Sequence, residues 1–338
     1  MSGRETADAA LVARHLLRRR RWRPFEIVAW AATLALILLA PSRALLINEI
    51  LILGLFALSL DLALGYAGLV SLGHAAFLGL GAYTAGIMAS RGLADPTLGL
   101  VVASLVAGLA GLVTAPLVLR GTDLTRLMVT LGVSLMLGEL ANRNAWLTGG
   151  ADGLDFTIGR VLGRFPIDFT GRRAAALYSF VVVFALFALA RRIARSSFGQ
   201  SVQAIRQNRL RAGALGIAAN RRLVAIYAIA AAYAGAAGAL LAQTTQIVSL
   251  DIFDFHRSAD VLLTLIIGGP GYLYGGLIGA AVFIGLRDLI SGATPEYWEF
   301  WIGLMLVALV TVGRERVETA VKRLARRLRP TPRREAAR

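Results

Sequence analysis

The sequence predicts an all-α, polytopic membrane protein with about ten transmembrane helices. Three observations carry that prediction. Hydrophobic residues fill 57% of the 338 positions and charged residues only 17%, whereas a soluble domain carries about a quarter charged residues. The apolar residues come in long uninterrupted runs, and about 20 of them in a helix cross the roughly 30 Å of bilayer hydrocarbon. Lysine and arginine are gathered between and beyond those runs rather than within them. Backbone polar groups find no water inside a bilayer, so each run is expected to be helical.

Taken in order, the runs predict spans near 25–43, 47–65, 70–90, 97–118, 125–147, 174–191, 223–243, 257–268, 273–290 and 297–313. The first follows Arg18-Arg19-Arg20-Arg21, a charge pattern shared with signal peptides, but Pro41-Ser42-Arg43 follows it instead of a small-x-small cleavage site. An uncleaved first span is therefore expected. The run at 257–268 is too short to cross alone and ends in Gly268-Gly269-Pro270-Gly271, so a broken or re-entrant segment is expected near 257–275. Glycines at Gly65, Gly68, Gly73, Gly79, Gly81 and Gly86 crowd the second and third spans, and an interruption is expected over Gly65–Gly73. Small residues let membrane helices approach closely, and unwound backbone beside a solute path is a usual binding place in transporters.

Cationic residues orient the chain. With both termini cytoplasmic, the cytoplasmic segments hold 27 Lys/Arg and the outer loops seven, Arg43, Arg91, Arg160, Arg164, Arg172, Arg173 and Arg257. That bias matches the positive-inside rule and explains the net charge of +16 without nucleic acid. Trp22, Trp146, Trp298 and Trp301 fall near predicted span ends, as interfacial aromatics do. The organisation predicted is a basic cytoplasmic tail at 1–24, a membrane domain at 25–313 containing a basic loop at 191–222, and a basic cytoplasmic tail at 314–338 that touches anionic lipid. Cysteine is absent, which excludes disulfides and thiolate metal sites, and His15, His74 and His256 lack metal-ligand spacing. No nucleophile–base pair stands at informative spacing, so no catalytic, metal or cofactor residue is predicted.

The 191–222 loop holds eight arginines and no Asp or Glu. Within it Phe198, Val202 and Ile205 fall at helical spacing, and Gly213 and Gly216 follow. A short helix with one apolar face and cationic flanks suits a groove on another protein, or a resting place on anionic lipid. No GxxxxGK[ST] phosphate loop is present, so any ATP that drives this chain is hydrolysed elsewhere. Glu49, Asp61, Glu139, Arg143, Asp260, Arg287 and Asp288 lie in or at the ends of spans, where a charge costs about 2.5–3.5 kcal/mol. Glu139 and Arg143, four apart, are placed to pair. Asp61, set among leucines, reads either as a gate beside a solute path or as a structural pair or neutral carboxyl. His74 reads as a structural hydrogen-bonder or a proton relay.

The stretch GYAGLVSLGHAAFLGLGAYTAG (65–86) resembles the signature of the branched-chain amino-acid ABC permeases, the LivM-type subunit in particular. Thr148-Gly149-Gly150-Ala151-Asp152-Gly153-Leu154 is similar to that family's outer-loop motif. Arg120-Gly121 with Leu131-Gly132 fits its fourth-to-fifth span connection, Ala204-Ile205-Arg206 through Ala214-Leu215-Gly216-Ile217 its coupling segment, and Gly268–Gly276 its late glycine motif. These motifs are collinear over residues 48–290. Leu69 stands where many relatives carry Gln, and Arg206 to Arg211 is basic where relatives usually place acidic residues.

The resemblance implies the membrane permease subunit of an ATP-binding cassette importer in the bacterial inner membrane, moving branched-chain amino acids by alternating access. Its partners would be ATP-binding subunits, which hold ATP and magnesium, a second homologous permease subunit and an extracytoplasmic solute-binding protein. The residues implicated in ATPase coupling are Phe198, Gly199, Ala204, Ile205, Arg206, Arg209, Leu215 and Gly216. Those implicated in the translocation path are Asp61, Gly65, Gly68, Ser71, Gly73 and His74. The alternatives are the same importer class carrying urea, short amides or other amino acids, and an ion-coupled secondary transporter working through Asp61, Glu139 and Asp260.

Overall fold

A computed structural model describes residues 24–158, 171–293 and positions 297, 300, 301, 303, 304 and 307. The basic tails, Arg160 and Arg164 lie outside the described residues, as does most of the span predicted at 297–313. Two units separate at residue 282. In the second, Phe300 and Trp301 meet edge to face at 5.6 Å. Everything below concerns the first, apart from the helix Leu273–Ala293, which continues past residue 282.

The chain is all-α apart from one two-residue ladder. In order run α1 (Pro24–Leu39), α2 (Ala44–Leu60), α3 (Ala75–Ser90), α4 (Pro96–Arg120), α5 (Asp123–Arg143) and α6 (Arg172–Ala194). The short α7 (Ser197–Gln207) and α8 (Arg209–Ala214) follow, then α9 (Ala219–Thr245), α10 (Phe255–Gly268) and α11 (Leu273–Ala293). Six helices among the described residues are long and apolar enough to cross a membrane: Pro41–Tyr66, Pro96–Arg120, Asp123–Arg143, Arg172–Ala194, Ala219–Thr245 and Leu273–Gly292. Glu26–Leu39 and Ala75–Ser90 are apolar but shorter. The protein is thus a multi-pass membrane protein, and the described residues do not confirm the count of ten. Among the predicted spans, α1, α3 and α10 are the short helices, and most of 297–313 lies outside the described residues.

Consecutive membrane helices alternate in direction. Glu26 at the start of α1 pairs with Arg191 at the end of α6. At the far end, Gln243 Nε2 near the end of α9 donates to Pro96 O at the start of α4 at 2.7 Å. The connections 120–123 and 191–222 and the start of α1 therefore share one end of the bundle. Strands β1 (Leu154–Asp155) and β2 (Ile247–Val248) pair antiparallel at the other.

The centre is α9 packed against α3 and α4 through small residues. A β-carbon on Gly81 would stand 2.1 Å from Gly235 O, and one on Gly238 1.9 Å from Leu78 O. Backbones this close are what small-residue stripes permit in a bilayer. Trp30 of α1 packs edge-on to Phe180 and Phe184 of α6 at 5.6 and 5.1 Å. Outward faces of α4 and α5 carry exposed Leu105, Leu109, Val113, Leu124, Met128 and Leu135, suited to acyl chains.

Helix starts follow local chemistry. Asp95 Oδ1 accepts from Thr97 N at 2.9 Å, and Pro96 fills the first helical position, where no N–H is needed. The span predicted at 70–90 is corrected: helix begins only at Ala75. Residues before it stay unwound because side chains take over their backbone bonds. Leu72 N donates to Thr130 Oγ1 and Ala75 N to Ser258 Oγ, both at 3.1 Å. At 16 residues α3 spans about 24 Å, and the unwound stretch precedes it.

Candidate functional site

Two glycine-rich breaks meet at the arginine-rich end of the bundle. The first follows α2, whose last turn widens into a π-helix over Asp61–Tyr66 before the chain unwinds. Such bulges recur at functional sites. The second is the turn between α10 and α11, where Gly269 and Gly271 have φ of 98° and 88°, values that glycine alone adopts freely.

Asp61 joins the breaks. Its Oδ1 accepts from Gly271 N at 2.6 Å, and the residue is fully buried. Gly65 makes this reach possible, since a β-carbon there would fall 1.9 Å from Asp61 Oδ1 and 2.4 Å from Gly271 N. Across the same two glycines lies Arg206 of α7, whose Nη1 donates to Gly65 O. A β-carbon on Gly68 would stand 3.2 Å from Arg206 Cγ, and one on Gly271 3.5 Å from its Nη1. The guanidinium and the carboxyl group thus flank one backbone crossing. Beside it opens a cavity of about 380 Å³ lined by Gly65, Tyr66, Gln203, Arg206, Gln207 and Gly271.

Deeper in, the path candidates are packed. Gly73 abuts α5, where a β-carbon would meet Thr130 O at 1.7 Å. His74 is fully buried, with Nε2 3.0 Å from Ser59 Oγ and its ring between Phe56 and Phe77. Ser71 is also buried. The structure gathers Asp61, Gly65, Gly68, Ser71, Gly73 and His74 on one break, but only Gly65 of these lines the cavity.

The amphipathic helix expected around Phe198–Ile205 forms as α7, capped by Ser196 Oγ, which accepts from Gly199 N at 3.3 Å. Its apolar face requires a correction. Rather than awaiting a groove on another protein, Val202 and Ile205 are buried in this chain's own bundle. Gly199 fits where a β-carbon would meet Ala194 O at 2.4 Å, Phe198 lies 5.9 Å from the Arg222 guanidinium carbon, and Ala204 is half-buried. What faces outward is polar and basic: Gln200, Gln203, Arg206, Gln207, Arg209 and Arg211 are exposed, with Leu210 88% and Leu215 74% exposed. Gly216, exposed and with φ 78°, ends this segment. Arg209 Nη2 donates to Asn220 Oδ1, at the edge of a shallow groove of about 590 Å³ that also includes Leu210, Gly213 and Arg221.

Sequence reasoning missed Ser59, Thr130 and Ser258, which hold the first break, and gave Gly271 only as part of a motif. A serine or threonine inside an apolar run was the one available signal. Elsewhere, Glu139 pairs with Arg143 at 2.8 Å on an exposed face. The Thr148–Leu154 motif folds as a tight turn with Gly149, Gly150 and Gly153 at positive φ.

Residues 42–310 match the model of a family described as branched-chain amino acid transport system, permease component. The chain is 28% identical over 279 residues to the high-affinity branched-chain amino acid transport system permease protein LivM of Escherichia coli K12, and 29% identical over 279 residues to the LivM of Salmonella typhimurium LT2. Each comparison covers 76% of this chain and 65% of the relative, so the chain spans about 65% of the length of the curated proteins it matches. No solved structure matches it.

Proposed function

The chain belongs to the branched-chain amino acid transport permease family, and from that premise we propose that it is the membrane subunit of an ATP-binding cassette importer for leucine, isoleucine and valine. One observation supports this reading most directly: α7 and α8 present an exposed basic face, free of acidic residues, beside helix breaks that sit at the same end of the bundle. In this account ATP-binding subunits, which carry ATP and magnesium, grip that face through Arg209, Leu210 and Leu215. Gly199, Ile205, Phe198 and Ala204 fix the coupling helix to the membrane domain from within. A second homologous permease completes the membrane pair, and a solute-binding protein delivers cargo at the opposite end.

The arginine-rich end lies in the cytoplasm of a bacterium, by the positive-inside rule, with the membrane domain in the inner membrane and both termini cytoplasmic. Transport proceeds by alternating access, since ATP can shift the equilibrium only through differential affinity for two states. The breaks around Asp61, Gly65, Gly68, Ser71, Gly73 and His74 are where backbone is free to change between them.

The test is reconstitution of the chain with its ATPases, permease partner and binding protein in vesicles. ATP-dependent uptake of leucine, isoleucine or valine that requires the binding protein is expected. Uptake driven by a proton or sodium gradient with the ATPases absent overturns the reading. Competition by urea, short amides or other amino acids decides the cargo.

A further inference from the structure

We propose that Arg206 and Asp61 form a positioning pair that transmits movement of the coupling helix into both broken spans, so that Arg206, although exposed, acts on this chain's own breaks rather than as a docking contact. The inference rests on the importer reading above. Its basis is the shared crossing of Gly65 and Gly271. Arg206 donates to Gly65 O from one side, and Asp61 accepts from Gly271 N at 2.6 Å from the other. Each side chain satisfies a backbone group that its break has released from helical bonding.

The placement is mechanical. Helix α7 is seated on the bundle through buried Val202 and Ile205, and any movement of α7 carries Arg206 with it. Its guanidinium reaches into the breaks past Gly68, where any side chain would crowd the arginine stem. Gly68 and Gly271 both sit at positive φ, where the chain turns without side-chain strain. When α7 shifts, Gly65 O loses its donor at the crossing that the Asp61–Gly271 bond holds from the other side. The two breaks then rearrange as one unit. A planar guanidinium with fixed donor directions is suited to this task and an ammonium less so.

The test uses the full transport complex in vesicles, with Arg206→Gln, Arg206→Lys and Asp61→Asn. For Arg206→Gln we expect the ATPase subunits to co-purify at wild-type yield. ATP-dependent uptake falls at least tenfold, and ATP hydrolysis continues without stimulation by the loaded binding protein. Asp61→Asn gives the same pattern, and Arg206→Lys an intermediate one. Loss of ATPase co-purification in Arg206→Gln would make Arg206 a docking residue and overturn the proposal, as would uptake within twofold of wild type.

The chain has no cysteine, so spin labels at Gln207→Cys and Tyr272→Cys give a second readout. One narrow distance is expected with Arg206 present and a broadened distribution in Arg206→Gln; identical distributions refute the pair. Should Arg206→Gln not accumulate, Arg206→Lys decides: reduced uptake with association intact supports the pair, and wild-type uptake overturns it. Absence of ATP-dependent uptake in the wild-type complex would instead remove the importer reading, a separate failure.

Discussion

Removing Glu26 should destabilise the fold more than removing Glu26 and Arg191 together. The two side chains are 8% and 5% exposed and bond directly across α1 and α6. Deleting one partner of a buried ion pair costs about 3–5 kcal/mol, because the other charge is left in a poor solvent. Replacing both with apolar residues of similar volume is often neutral. At about 1.4 kcal/mol per factor of ten, Glu26→Leu should shift the unfolding equilibrium by roughly two to three and a half orders of magnitude. Glu26→Leu with Arg191→Met should recover part of that loss, since Trp30 still packs on Phe180 and Phe184 while neighbouring Arg195 loses Glu26 as a counter-charge. The assay is equilibrium unfolding in mixed sodium dodecyl sulfate and maltoside micelles, run as a double-mutant cycle. A double variant as unstable as the sum of the singles, or a single variant costing less than about 1 kcal/mol, would refute the reasoning from burial.

Two further outcomes follow from close backbone approaches. Gly73→Ala drives a β-carbon to within 1.7 Å of Thr130 O and strains the Leu72–Thr130 bond; a loss of about 2–4 kcal/mol in the same micelle assay is expected, and unchanged stability would mean that α5 is free to retreat. Gly149→Ala places a side chain at φ 78° and 1.9 Å from Gly153 O. The β1–β2 ladder should loosen, seen as faster amide exchange at Phe156, whose N–H donates to Gln246 O at 3.1 Å; unaltered exchange would uncouple the turn from the ladder.

Much of this architecture can be read from the sequence, because bilayer solvation forces long apolar runs into helices and glycine clusters mark where they break. The interruption at Gly65–Gly73 and the short helix ending at Gly268 are of this kind. The start of α3 at Ala75 was not legible, since its unwound approach is held by Thr130 and Ser258, 58 and 183 positions from the residues they bond. The spacing of Phe198, Val202 and Ile205 revealed an amphipathic helix but not whose surface fills its apolar side. Asp61 stood out by position, yet its partner is a backbone N–H 210 residues away, which no local pattern encodes. Strands of two residues leave no periodicity at all.

Anchorage and exposure lie on opposite sides of the α7–α8 segment. On the importer reading, substitutions among Gln200, Gln203, Arg209 and Leu210 remodel what a partner would grip while Val202 and Ile205 keep the lever seated. The matching teeth can then change with the gear shaft left as it was.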